Sequence, residues 1–317
     1  MDKERIDSFY TYLTSQQTAQ QYLYNCYERI NHENAEVKSY ENCNTFIYYL
    51  EHAMKYYDAG KSNDMTLKPV LLFYGMVHLL KAGLMTVRPD YPESTSLLAH
   101  GVSTRKRKKK DYSFLEDEVK IQHNGLFPYF SKHLYGINTI PFEKVTMESL
   151  LGRIPELSEL FIFHNKEKLS KVGKLNSNVL YFPTTLLDNY HLTDQSLIRK
   201  IEDYIPVIKH IESTQTEVIV QLENSIQEVN GPFYLHSDTS VYFPSTREDF
   251  FSIPEVMVHY LLLYNLSMIS RYESEWWGEL LHSKADIDFP LVHQFIHITA
   301  EKIPLFIGDL LLRKIHS

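Results

Sequence analysis

Cysteine is nearly missing from this chain: Cys26 and Cys43 are the only two among 317 residues. Two cysteines build no disulfide framework and match no metal-binding spacing. The expectation is a reducing cytosol, with both thiols acting as small apolar side chains. Tryptophan is just as scarce, with Trp276 and Trp277 side by side and no others. There is no G-x-x-x-x-G-K-[ST] phosphate loop, no G-x-G-x-x-G dinucleotide turn and no G-x-S-x-G nucleophile elbow, which removes the most specific signatures of nucleotide hydrolases, dehydrogenases and serine hydrolases. The first nine residues are polar and acidic and lack the basic end and apolar run of a secretory leader. Val70 to Val87 is the longest apolar stretch, but His78 and Lys81 would be costly in lipid, so it reads as a buried core helix and not as a membrane span.

What is present supports a thick core. Hydrophobic residues make up 44% of the chain, with 23 Tyr and 17 Phe, and the length suits two domains or one helical body carrying a large insertion. Gln16 to Ile30 carries apolar residues on one helical face behind Ser15 as N-cap, and Asn34 to Ala59 repeats the pattern with Gly60 as a stop. Pro69 opens a third helix that is apolar on nearly every face, in which Gly75 and Gly83 imply close approach of a neighbouring backbone. After a loop from Arg88 to Ser103 the pattern changes. Glu118 to Gln122 and Leu126 to Phe130 flank His123-Asn124-Gly125 as a hairpin, with Pro128 placing the second strand at an edge. Short helices follow at 146–163, broken at Pro155, and at 193–204, with strands at 178–182, 217–222 and 233–243. Pro254 opens a second all-round apolar helix, which Trp276-Trp277 closes, and helices at 286–299 and 303–315 end the chain.

Two helices apolar on all sides must each be surrounded. The expected architecture is therefore mainly α (α+β): a discontinuous helical bundle from 1–104 and 250–317, with 105–249 as an inserted mixed α/β segment.

Charge is unevenly spread. Arg105, Lys106, Arg107, Lys108, Lys109 and Lys110 are six consecutive cations in a chain of net charge -8, so without them the remainder stands at -14. Broad coating by nucleic acid is disfavoured, because the rest of the surface repels phosphate, but a local anion site is not. A solvated loop is the bland reading of the run. The functional one is a phosphate site formed by His100, Gly101, Ser103, Thr104, Arg105, Lys106, Arg107 and Lys108, with Gly101 admitting close approach and hydroxyl and guanidinium groups meeting phosphate oxygens.

A second constellation is a core pocket of Tyr74, His78, His259 and Tyr260, with the two histidines facing each other as a polar network or as acid and base; buried, satisfied core histidines are the competing reading. His293 and His297 stand four apart with Glu301 a turn further on, but surface histidines are the better reading, and neither metal nor cofactor is expected. Trp276 and Trp277 point to packing at a helix corner or to a partner-binding anchor.

Several long stretches carry a family resemblance. SYENCNTFIYYLEHA at 39–53, LKPVLLFYGMVHLLKAGLMTVRPDYPESTSLLAHGVSTRKRKK at 67–109, DEVKIQHNGLFPYFSK at 117–132 and MISRYESEWWGELL at 268–281 resemble the YaaC family of Bacillus-type proteins. The resemblance implies a cytoplasmic protein of low-GC Gram-positive origin. It implies no particular reaction, and its link to purine nucleotides comes from family genes lying beside that of IMP dehydrogenase. LLFYGMVHLLKA at 71–82 also resembles a stretch of HEPN-type helical bundles. Their ribonuclease members place a histidine four to six residues after an arginine; here His100, His210 and His282 follow Arg88, Arg199 and Arg271 at greater distances, so only a fold analogy carries over.

The leading expectation is a non-enzymatic binding or regulatory protein for a phosphate-bearing ligand such as a purine nucleotide. The alternatives are a HEPN-like enzyme acting on RNA or nucleotides, with His78, His100 or His259 in acid–base roles, and an adaptor for a purine-synthesis enzyme such as IMP dehydrogenase.

Overall fold

The computed structural model describes residues 2–104 and 112–315. The protein is mainly α with small antiparallel sheets. It divides into two compact units: a helical one of Met1–Ser113, Glu118–Val145 and His259–Ser317, and a mixed one of Phe114–Asp117 and Thr146–Val258. The helical unit thus includes 118–145, part of the segment expected to be inserted, because a helix stands where a strand is expected.

In the helical unit, α1 (Lys3–Tyr12) is additional to the three helices expected in the first third. It shows only Ile6, Phe9 and Tyr10 as a buried face, too thin a stripe to stand out. α2 (Gln16–Arg29) starts where expected, with the Ser15 side chain accepting from the Thr18 N–H. α3 (Ala35–Ser62) runs through Gly60 instead of stopping there. Gly60 is buried, and a Cβ on it would sit 2.8 Å from Leu72 Cδ2 of α4 (Lys68–Met85), so this glycine serves helix packing. The close neighbours of Gly75 and Gly83 are side chains, the Tyr57 ring and Leu134, and not backbone. Twelve of the eighteen residues of α4 are buried, as a helix apolar on all faces requires. Each large apolar side chain so buried contributes roughly 1.5–3 kcal/mol of transfer free energy.

The expected hairpin is half right. β1 (Val102–Thr104) pairs antiparallel with β2 (Glu118–Ile121), but Leu126 to Phe130 opens a helix, α5 (Leu126–Tyr135). Pro128 falls in the first turn of α5, where its missing N–H costs nothing, and Gly125 at φ 122° turns the chain into that helix. Leu126, Phe127 and Phe130 are buried within the helical unit, so α5 belongs to it. β3 (Lys144–Thr146) completes the three-stranded sheet in the order β1-β2-β3.

In the mixed unit, α6 (Met147–Leu151) and α7 (Ser158–Phe163) are separated at Pro155 as expected. There follow β4 (Leu169–Lys174), β5 (Val179–Pro183), α8 (Thr184–Tyr190), α9 (Asp194–Ile201), β6 (Ile208–Ser213), β7 (Glu217–Leu222), β8 (Tyr234–Leu235) and β9 (Ser240–Pro244). They form two antiparallel sheets, β4-β9-β8 and β5-β7-β6, around Leu180, Phe182, Val218, Val220 and Phe243. Arg153 is buried here. It lies 3.7 Å over the Phe251 ring and donates to the Asp249 and Ser149 carbonyls, a structural use of a cation.

The chain returns through α10 (Glu255–Tyr272), α11 (Ser274–Ser283) and α12 (Asp288–Arg313). Trp276 and Trp277 lie in α11, a helix of its own, and not at the end of α10. α12 replaces the two helices expected there. Pro304 sits inside it, and the Tyr10 hydroxyl donates to the Pro304 carbonyl at 2.8 Å, tying α1 to that turn. No helix among the described residues is long and apolar enough to cross a membrane.

A tight backbone contact lies at the start of α5. Gly125 and Gly101 touch main chain to main chain: a Cβ on Gly125 would sit 2.4 Å from the Gly101 nitrogen, and both residues have positive φ. Gly125→Ala is expected to destabilise the protein by roughly 2–4 kcal/mol, combining backbone strain with the clash. Thermal and urea unfolding followed by circular dichroism check this; an unchanged midpoint would show that the two loops separate freely.

Candidate functional site

The site is built on the short segment that leads into β1. Leu126 N–H donates to the Ala99 carbonyl at 2.7 Å and Phe127 N–H to the His100 carbonyl at 3.1 Å, so the segment caps orphan donors in the first turn of α5. The Tyr260 hydroxyl of α10 donates to the same His100 carbonyl at 2.9 Å. His100 is therefore held by its backbone from two helices, and its half-buried ring faces Phe73 (5.0 Å), Tyr264 (5.6 Å) and Tyr74 (6.3 Å).

Two cations act electrostatically on this imidazole. Lys81 on α4 is half-buried and lies over the Tyr49 ring at 5.6 Å. Arg271, near the end of α10, donates through Nε to the Ser267 carbonyl at 2.9 Å. Among the described residues neither has a carboxylate in ion-pair range. Burial pushes the His100 pKa below its ordinary value, and the charges of Arg271 and Lys81 push it further. His78 is lowered too, by burial first and then by Lys81 and His52, against a hydrogen bond from its Nδ1–H to the Tyr74 carbonyl at 2.7 Å. That bond leaves Nε2 as the lone-pair nitrogen of the neutral ring. The Lys81 amine is itself lowered by burial.

The two expected constellations partly merge. Tyr74 and Tyr260 both reach His100, and His78 stands one turn from Tyr74. His259 does not join them: its Nδ1 pairs with the Thr299 hydroxyl at 2.8 Å and its ring lies on Phe295, so it faces α12, whereas His78 packs on Tyr49, His52 and Tyr56 of α3. The faced pair of histidines is thus replaced by one buried structural histidine and one at the rim.

Gly101 has positive φ, but its open side is filled by Gly125 and Pro128, so the close approach expected for a ligand serves α5 instead. Ser103 in β1 accepts from Gln122 Nε2 at 2.6 Å, and Thr104 pairs with Val119. Arg105, Lys106, Arg107 and Lys108 lie outside the described residues. The residues bounding them do not: Thr104 ends β1, and the Tyr112 ring meets Trp276 of α11 at 4.7 Å, both in the unit that holds His100. Trp276 is thereby packed and Trp277 is buried, so neither indole is a bare anchor.

His293 and His297 share one stripe of α12 with ring centroids 4.7 Å apart, but Glu301 is engaged by Lys61 at 2.9 Å and Lys3 at 3.5 Å. No group of three or more metal-ligating side chains occurs among the described residues. Lys81, Arg271 and Tyr49 are not among the site residues that the sequence suggests. The apolar run around Lys81 was the available signal, since a lysine inside a core helix needs a reason.

A model of the YaaC-like Protein family matches residues 11–311. The chain belongs to the YaaC-like family. No curated protein and no solved structure matches it. The family match spans the helical unit almost completely, His100, Lys81 and Arg271 included.

Both His78 and His100 are expected to titrate below the ordinary histidine range, and Lys81→Met should raise both. The sign for stability follows. Below about pH 6.5 the unfolded chain binds protons that these native rings refuse, so stability is full above that value and falls as pH drops towards the native pKa. Histidine proton shifts followed by NMR across pH, in the wild type and the variant, measure it.

Proposed function

We propose that this chain is a non-enzymatic binding protein that recognises a phosphate-bearing ligand, a purine nucleotide above all, at the cationic face around His100. One observation supports the reading most: Lys81 and Arg271 are half-buried cations with no carboxylate partner among the described residues, and both act on the same imidazole. Burying charge without a counter-ion is costly, and on a chain of net charge -8 such a gathering of field is a receptor for an anion. The Arg271 guanidinium supplies a planar fork suited to phosphate and Lys81 a compact charge. Ser103 accepts from Gln122 and keeps its own proton to donate. Arg105 and Arg107 follow β1 directly and would add phosphate contacts, with Lys106 and Lys108 adding field. The family's association with IMP dehydrogenase favours a purine nucleotide and makes that enzyme the partner to test first.

Calorimetry of the full-length chain against a panel of nucleotides tests the reading. At least one purine nucleotide should bind, and both Lys81→Met and Arg105→Ala/Arg107→Ala should weaken it by roughly 10- to 100-fold, as the loss of charge-assisted hydrogen bonds implies. Binding by none, or affinity unchanged in both variants, ends it.

A pH dependence of fixed sign follows. A phosphate raises the pKa of a nearby imidazole, so the complex takes up protons and affinity should tighten as pH falls from about 8 to about 6.5, where the phosphate itself begins to protonate. Titrations in buffers of different ionisation enthalpy read the proton uptake directly.

A further inference from the structure

The cations account for a phosphate but not for the rings beside them. On α3, Tyr49, His52 and Tyr56 recur at three- and four-residue spacing, and on α4 Tyr74, His78 and Lys81 do the same, so each set forms one stripe. The stripes meet. Tyr56 lies nearly parallel to His78 (centroids 5.5 Å, interplanar 29°) and to Tyr74 (6.0 Å, 28°). His52 and Tyr49 stand edge-on to His78 at 5.7 and 5.8 Å. Tyr49, Tyr56, Tyr74 and His78 are half-buried and His52 is exposed.

Beside these rings the seam between α3 and α4 is closed by Tyr57 and Gly60 from α3 and Leu72 and Gly75 from α4, all buried. The rings therefore stand at the rim, with Lys81 at one end over Tyr49 and Tyr74 leading to His100 at the other. Among the described residues the hydroxyls of Tyr49, Tyr56 and Tyr74 make no hydrogen bond, so nothing in the unit claims the polar edges of these rings. Aromatic faces beside uncompensated cations are the composition that stacks a base while its phosphate is held.

Resting on the anion-site reading above, we infer that Tyr49, Tyr56, Tyr74 and His78 form a base-stacking subsite. The ligand is then a nucleotide, free or as one unit of a single strand, lying with its phosphate towards Lys81 and its base against Tyr56.

The test titrates the full-length chain with inorganic phosphate, ribose 5-phosphate, GMP and a short oligoribonucleotide. GMP should bind about tenfold or more tightly than ribose 5-phosphate, the advantage one stacked base brings. Tyr56→Leu should erase that advantage and leave ribose 5-phosphate unaffected, while Tyr56→Phe, which keeps the ring face, should retain it. An oligonucleotide that outbinds GMP assigns the subsite to a strand, and one that does not assigns it to a free nucleotide. Equal affinity for GMP and ribose 5-phosphate, or wild-type GMP binding by Tyr56→Leu, overturns the subsite while the anion site stands. Failure of all the phosphate compounds overturns the anion site and the subsite with it. Should Tyr56→Leu not fold, the comparison of GMP with ribose 5-phosphate on the wild type still decides.

Discussion

Two glycines in main-chain contact hold the site in place. Gly101 and Gly125 approach so closely that neither tolerates a Cβ, and the approach lets the carbonyls of Ala99 and His100 cap the first turn of α5. Once that turn is capped, α5 presents Leu126, Phe127 and Phe130 to the interior, and the Tyr260 hydroxyl locks the His100 carbonyl from α10. The position of the His100 ring thus depends on backbone hydrogen bonds from two helices and only secondarily on its own packing.

Around this fixed point the electrostatics are one-sided. Among the described residues several other cations meet partners: Lys38 meets Asp90 at 2.8 Å, Lys168 meets Glu148 at 3.2 Å, and buried Arg153 is bound by carbonyls and by the Phe251 ring. Lys81 and Arg271 differ, because their neighbours are aromatic rings, a carbonyl and a thioether and not carboxylates. On an acidic chain, where carboxylates are plentiful, a local lack of them is a property of the arrangement and not of the composition.

Much of the helical framework was legible in local pattern. Ser15 before an apolar stripe, Pro69 before an all-round apolar run and Pro254 before another each placed a helix start within a residue or so, because caps and first-turn prolines act over a few bonds. The errors share a cause. Gly60 looked like a helix end and Ile303 like the start of a last helix, yet Gly60 makes room for Leu72 and Pro304 is carried inside a helix packed on α1, so tertiary contact outweighed local propensity. Asn124-Gly125 looked like a hairpin turn, but with β1 already paired to β2 the chain after Gly125 was free to start a helix on α4.

The sequence alone determined the class of fold and the burial of the two apolar helices, because periodicity is a property of neighbours along the chain. Only the tertiary structure decided that His100 belongs with Lys81 and Arg271, that His78 stands at a rim of tyrosines, and that His259 is turned away towards Thr299. Whether a cation has a counter-ion, and which ring it lies over, is settled through space by segments far apart in the chain, and no spacing along one helix carries that information.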